Sequence, residues 1–150
     1  MRAVIQRVSE ASVTVNNKVI SSINNGLLVL LGIEDADTSE DITWLIGKLS
    51  KMRIFSDSEG KMNLSLNDCN GSLLLVSQFT LHAMTAKGNR PSFMRSAKPE
   101  KAIPVYEEFI KIWQQQTNIP IQTGEFGADM KINLLNDGPV TIIIDSKAKE

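Results

Sequence analysis

Leu73-Leu74-Leu75-Val76-Ser77-Gln78-Phe79-Thr80-Leu81 is the stretch on which the reading of this chain turns. Its first four residues are continuously apolar, which is the pattern of a strand covered on both faces. Side chains alternate along a strand, so Leu73, Leu75, Ser77, Phe79 and Leu81 share one face. Leu74, Val76, Gln78, Thr80 and His82 share the other. That second face begins apolar and ends in hydrogen-bonding groups. Two readings follow: the strand frays into water at Gln78 and Thr80, or its end floors a pocket.

Working outward, Leu27 to Ile33 is a second continuous apolar run and reads as another buried strand. Val4, Val8, Val13 and Val15, with Ser12 and Thr14 between them, predict a strand near the N-terminus. Asn16-Asn17 turns it back into Lys18 to Ile23 as a hairpin. Ile42, Leu45, Ile46 and Leu49 recur at helical spacing and predict a helix over 39–52, with Thr38 and Asp41 as its capping pair. Ala102, Val105, Tyr106, Phe109 and Trp113 predict a second helix over 99–116. Arg53 to Phe55 reads as a short strand and Ser56 to Asn63 as loop. Met130, Ile132 and Leu134 alternate as a half-buried strand; a turn at Asn136-Asp137-Gly138-Pro139 then leads into a last strand, Val140 to Ile144. The expected class is α+β: a curved or barrel-like, mainly antiparallel sheet with two principal helices.

A chain of 150 residues is expected to form one domain, 1–150, with a sizeable core. No run of about 18 apolar residues occurs, so no helical membrane span is expected. Arg2 and Arg7 are not followed by the apolar core and cleavage site of a secretory signal. The lone cysteine, Cys69, has no partner for an internal disulfide, which fits a reducing, cytoplasmic setting. A net charge of −1 argues against broad wrapping of nucleic acid, but leaves room for gripping one end of an RNA. Lys87, Arg90, Arg95, Lys98 and Lys101 cluster against one acid, Glu100. They form either a solvated loop or a patch that steers phosphates.

Conventional catalytic groups are scarce. His82 is the only histidine, and no His/Cys cluster has metal-ligand spacing. No glycine-rich loop is followed by Lys and Ser or Thr to cradle a nucleotide. A serine triad would need His82 as its base and a carboxylate to orient it, and the sequence singles out none. His82 is read as a structural or solvent-facing residue, and Cys69 as a loop residue without an activating base.

A set of stretches in fixed order nonetheless resembles the D-aminoacyl-tRNA deacylases, the chiral-proofreading hydrolases of translation. They are Met1-Arg2-Ala3-Val4-Ile5-Gln6-Arg7-Val8, Ser77-Gln78-Phe79-Thr80, Lys87 to Phe93, Thr123 to Met130, and Asn136-Asp137-Gly138-Pro139-Val140-Thr141. The resemblance implies hydrolysis of the ester of D-aminoacyl-tRNA without metal or cofactor. It places Ser77, Gln78, Phe79 and Thr80 at the catalytic centre. It implies a cis Gly138-Pro139 pair that selects handedness from the partner subunit of a homodimer. An adenosine pocket is expected from Phe126, Met130, Glu125 and Ala102.

The chemistry suits such a site. An aminoacyl ester is already activated and has a ribose hydroxyl beside it, so the enzyme must mainly hold the carbonyl, stabilise the oxyanion and admit water. The resemblance implies assistance from the 2′-hydroxyl, with Thr80 as a possible participant; a threonine without a base is a weak nucleophile. Any D-amino acid must be accepted, so handedness is best read by fixed backbone groups. A steric filter of that kind also passes glycine. Two alternatives stand beside this reading: a non-catalytic RNA-binding module of the same fold, and a small esterase using Thr80 or Ser77.

Overall fold

In the computed structural model, which describes residues 1–150, β1 (Arg2–Val15) is paired along both edges. β8 (Lys131–Asp145) follows it antiparallel along nearly its whole length. On the other edge, Arg2 to Val8 pair with β3 (Gly26–Gly32) and Ala11 to Val15 with β2 (Lys18–Ile23). β6 (Ser72–Ser77) adds to β3, and β7 (Ile121–Thr123) to β6, both in parallel. Parallel neighbours need a crossover connection. α1 (Ser39–Lys51) lies in the first crossover and α2 (Pro99–Gln116) in the second. The remaining pairings are antiparallel, and the sheet curls into a nearly closed barrel, as the pattern of strands and helices predicts.

The alternation read in Leu73 to Val76 holds. Leu73 and Leu75 face a core with Leu45, Leu49, Phe109 and Trp113 of the helices. Leu74 and Val76 face a smaller core with Val8, Val13 and Leu28 inside the curl. All four are fully buried. α1 opens as expected: the Asp41 carboxylate accepts the Thr38 amide at 2.9 Å and takes the Lys147 ammonium at 2.7 Å. The chain's first ammonium is buried against Asp37 and Ser146, which fixes the start of β1 beside the end of β8.

Three local expectations are corrected. The central strand stops at Ser77, and Phe79–His82 form a 3-10 turn. Gln78 makes the last ladder bond, to Leu31 O at 2.7 Å, before the Leu81 amide turns back to Gln78 O. His82 is consequently buried, the structural one of the two places read for it, and packs under the turn near Gly32. Ser56 to Asn63 is not all loop, because β5 (Met62–Leu64) pairs with β4 (Phe55–Ser56). Finally, Asn136 to Pro139 is not a turn between two strands. β8 runs through it, with Val8 opposite Asn136 and Gln6 opposite Thr141. The segment 137–140 therefore stands against Arg7 alone, as a broad bulge.

Candidate active site

The end of β6 opens into a cavity of about 280 Å³. Ser77, Gln78 and Phe79 form one wall; Phe126 and Met130 form another, with Ala102 of α2 beside them. A larger groove, about 1260 Å³, lies on the far side of the Phe79–His82 turn, between α1 and the end of β8. The smaller hollow is the one in which the expected residues converge.

Its floor is held mainly through the backbone. Because the 3-10 turn starts at Phe79, the amides of Phe79 and Thr80 lead it and have no acceptor within it. Two adjacent free donors beside an apolar hollow are what an oxyanion requires. The Phe79 carbonyl is already engaged by the Ser96 hydroxyl at 2.7 Å. Arg2 Nη1 donates to Leu81 O at 2.7 Å, and its Nη2 pairs with Asp145 at 3.0 Å. Gln78 Nε2 donates to Thr80 Oγ1 at 2.6 Å, so the threonine hydroxyl has a donor against it and no base. This favours a positioning role over a nucleophilic one. The Phe79 ring is about half exposed and meets Phe93 edge-on at 5.1 Å.

The opposite wall depends on a glycine and a tyrosine. A Cβ on Gly124 would lie 2.5 Å from Met130 Sδ, so glycine there lets the methionine fold back over the cavity. Phe126 is met edge-on by Tyr106 at 5.8 Å, and the Tyr106 hydroxyl donates to Leu75 O at 2.8 Å. Burial pushes that phenol well above its ordinary range, so it stays a proton donor. One side chain thus ties α2, the central strand and the aromatic wall together.

The Gly138-Pro139 peptide is cis, as the resemblance implies. Neither residue lines the cavity of its own chain, and both are exposed on the bulge. The bulge is held from below by Arg7, which is buried on the inner face of β1. Its Nε donates to Asp137 O at 3.0 Å and its Nη1 to Ile54 O at 2.6 Å. Asn136 Oδ1 accepts the Val140 amide at 3.0 Å, and its Nδ2 donates to Thr141 at 3.1 Å. Gly138 has φ +129°, and a Cβ there would lie 2.8 Å from Arg7 Nη2.

Of the residues expected from sequence, Ser77, Gln78, Phe79, Phe126, Met130 and Ala102 are brought together. Thr80 adjoins them through Gln78. Glu125 is exposed and does not line the cavity. Sequence reasoning missed Arg2, Arg7, Ser96 and Tyr106. Arg7 carried a usable signal, since it is a charge at an inward-facing position of an alternating strand. The others act through contacts far apart in the chain and carried none.

The D-Tyr-tRNA(Tyr) deacylase family model matches residues 4–145. A D-aminoacyl-tRNA deacylase of Flavobacterium johnsoniae is 61% identical over the whole of both chains. The enzyme of that name from Akkermansia muciniphila is 57% identical over the same span. Among solved structures, one titled c-Myc DNA Unwinding Element Binding Protein superposes with TM-score 0.94 at 41% identity, covering 99% of this chain and 100% of that one. A probable eukaryotic D-amino acid tRNA deacylase superposes with TM-score 0.79 at 20% identity over 95% of this chain and 97% of its own, which is a likeness of fold.

Proposed function

Because the chain belongs to the D-Tyr-tRNA(Tyr) deacylase family and hydrolyses the ester of D-aminoacyl-tRNA, we propose that main-chain atoms, shared between two copies, perform the selection and the chemistry. The observation that carries this reading is the separation just described: the cavity has a floor and an aromatic wall, while Gly138-Pro139 stands exposed on a bulge outside it. In the proposed homodimer the bulge of one copy closes the cavity of the other.

The terminal adenosine packs against Phe126 and Met130, with Ala102 behind and Glu125 at the rim. The ester carbonyl then points at the free amides of Phe79 and Thr80, where negative charge grows as water adds. The 2′-hydroxyl of the same ribose assists the proton transfer. Gln78 and Thr80 fix the geometry, and Ser77 ends the strand at the right depth. The carbonyls of Gly138 and Pro139, from the second copy, accept from the substrate ammonium and leave no room for an L side chain. Glycine, which has no side chain to reject, passes the same filter, so glycyl-tRNA is also cleaved. The site of action is the cytoplasm, where charged tRNA is made and used. Lys87, Arg90, Lys98 and Lys101, all exposed, face acceptor-stem phosphates.

Subunit mixing tests the shared site. A Phe79→Pro copy, which lacks one of the two proposed amide donors, and a Gly138→Ala copy, each with activity largely lost, are refolded together. A composite site requires activity to return to about a quarter of the wild-type level, since half of the dimers then hold one intact site. No return of activity, with mixed dimers present, sinks the shared site. Hydrolysis of simple esters lacking a ribose would favour an esterase using Thr80 instead.

A further inference from the structure

The groove between α1 and the end of β8 lies outside the cavity described above and is several times its size, about 1260 Å³. Trp44, Lys48 and Lys51 of α1 form one side and Lys149 closes over it. The ammonium groups of Lys48 and Lys149 lie 5.7 and 4.9 Å from the centre of the Trp44 ring. None of the three lysines forms an ion pair. Two acids line the groove: Asp145 is already paired with Arg2 at 3.0 Å, and Glu150 stands against the three lysines. The hollow therefore carries an excess of positive charge around an indole, three unpaired lysines against one free acid. Lys48 and Lys51 are three residues apart on one helix face, so their charges project side by side.

Leu81 also lines this groove. It belongs to the same 3-10 turn as Phe79 and Thr80. The turn is thus a thin partition, with the cavity on one side and the trough on the other. A chain whose end occupies the cavity has a charged path on which to continue. Unpaired cations along a path next to an aromatic ring match a sugar-phosphate backbone with a base available to stack. Cation–π contacts at exposed sites are weak, so the lysines can leave the ring for phosphates.

We infer that this groove carries the acceptor-strand backbone of the tRNA, with Lys48, Lys51 and Lys149 on phosphates and Trp44 beneath a base. The inference rests on the tRNA reading above and adds a contact surface to it. The apolar wall opposite, where Ile143 is 70% exposed, offers the competing occupant, a second copy of this chain.

The test compares wild type with the double variant Lys48→Glu/Lys51→Glu, on D-tyrosyl-tRNA and on D-tyrosyl-adenosine, which has no acceptor strand. The expected result on tRNA is a KM raised about tenfold or more, with kcat within twofold. The salt dependence of log KM should be shallower by about two phosphate contacts. The adenosine ester should be cleaved equally by both proteins. Unchanged KM and salt slope on tRNA would overturn the inference. So would a variant that changes the oligomeric state by light scattering, because the groove would then belong to a second copy. If wild type cleaves neither substrate, the deacylase reading is what has failed. Binding of uncharged tRNA then decides the groove: a tenfold weaker variant supports it and equal affinity overturns it.

Discussion

The turn at Phe79–His82 ends a strand and the bulge at residues 137–140 interrupts one, and they are secured in opposite ways. The turn is concave in effect: it ends a buried strand, and its supports are many, including Ser96, Arg2 and the ladder bond to Leu31. The bulge is convex and exposed, and it rests chiefly on one buried guanidinium, Arg7, and one amide side chain, Asn136. Support spread over many contacts fails gradually, whereas support concentrated in two side chains fails when either is lost. Substitutions around the bulge should therefore have sharper effects than substitutions around the turn.

The severest break in that contrast is Gly138→Ala. Its φ of +129° disfavours any side chain, and the new Cβ would press on Arg7 Nη2. D-aminoacyl-tRNA hydrolysis should fall at least about 100-fold, and the strain should also lower stability by about 1–3 kcal/mol. Near-normal deacylation kinetics would show that the bulge does not matter. Next comes Arg7→Ala, which strips the partner from Ile54 O and Asp137 O beneath the bulge. Urea unfolding should show a loss of about 2–4 kcal/mol, the scale for removing one member of a buried charged network. A loss under about 0.5 kcal/mol would contradict the idea of concentrated support.

On the turn, Thr80→Ala should lower kcat by no more than about tenfold, since the hydroxyl lacks a base and only orders Gln78. A collapse of single-turnover rate would restore Thr80 as a chemical participant. The smallest effect concerns neither region. At Asp41, burial raises the carboxyl pKa, but hydrogen bonds from Lys147, Ser146 and Thr38 outweigh it, leaving it well below the ordinary carboxylate range. The stability from this group is present above the unfolded value and is lost as pH falls through the folded one. Asp41→Asn should thus cost about 1 kcal/mol at neutral pH, with the gap to wild type narrowing below about pH 4. A gap that widened in acid would reverse the assigned sign.

Much of the fold is legible because it is written in short-range pattern. Leu73 to Val76 and Leu27 to Ile33 declare buried strands by continuity, and the two helices declare themselves by spacing. What fails is alternation carried past Ser77. Nothing local in Gln78-Phe79-Thr80-Leu81 shows that β3 stops at Gly32 and leaves no ladder to join. The bulge escapes for a related reason. Asn-Asp-Gly-Pro has every mark of a turn, and only the partner register on β1 reveals that the strand resumes. The cavity residues are legible through the resemblance of their motifs. Their supports are not, because Arg2, Ser96 and Tyr106 act on residues 79, 17 and 31 positions away.

Arg2 joins the two regions that this contrast sets apart. With one hand it grips Leu81 O, beneath the turn, and with the other it grips Asp145, at the far end of the strand that bears the bulge. It is a rivet through both working edges of the same copy. Lysine, with its single ammonium, cannot clasp both partners in that fork. Replacing this one side chain should therefore loosen the anvil and the hammer together.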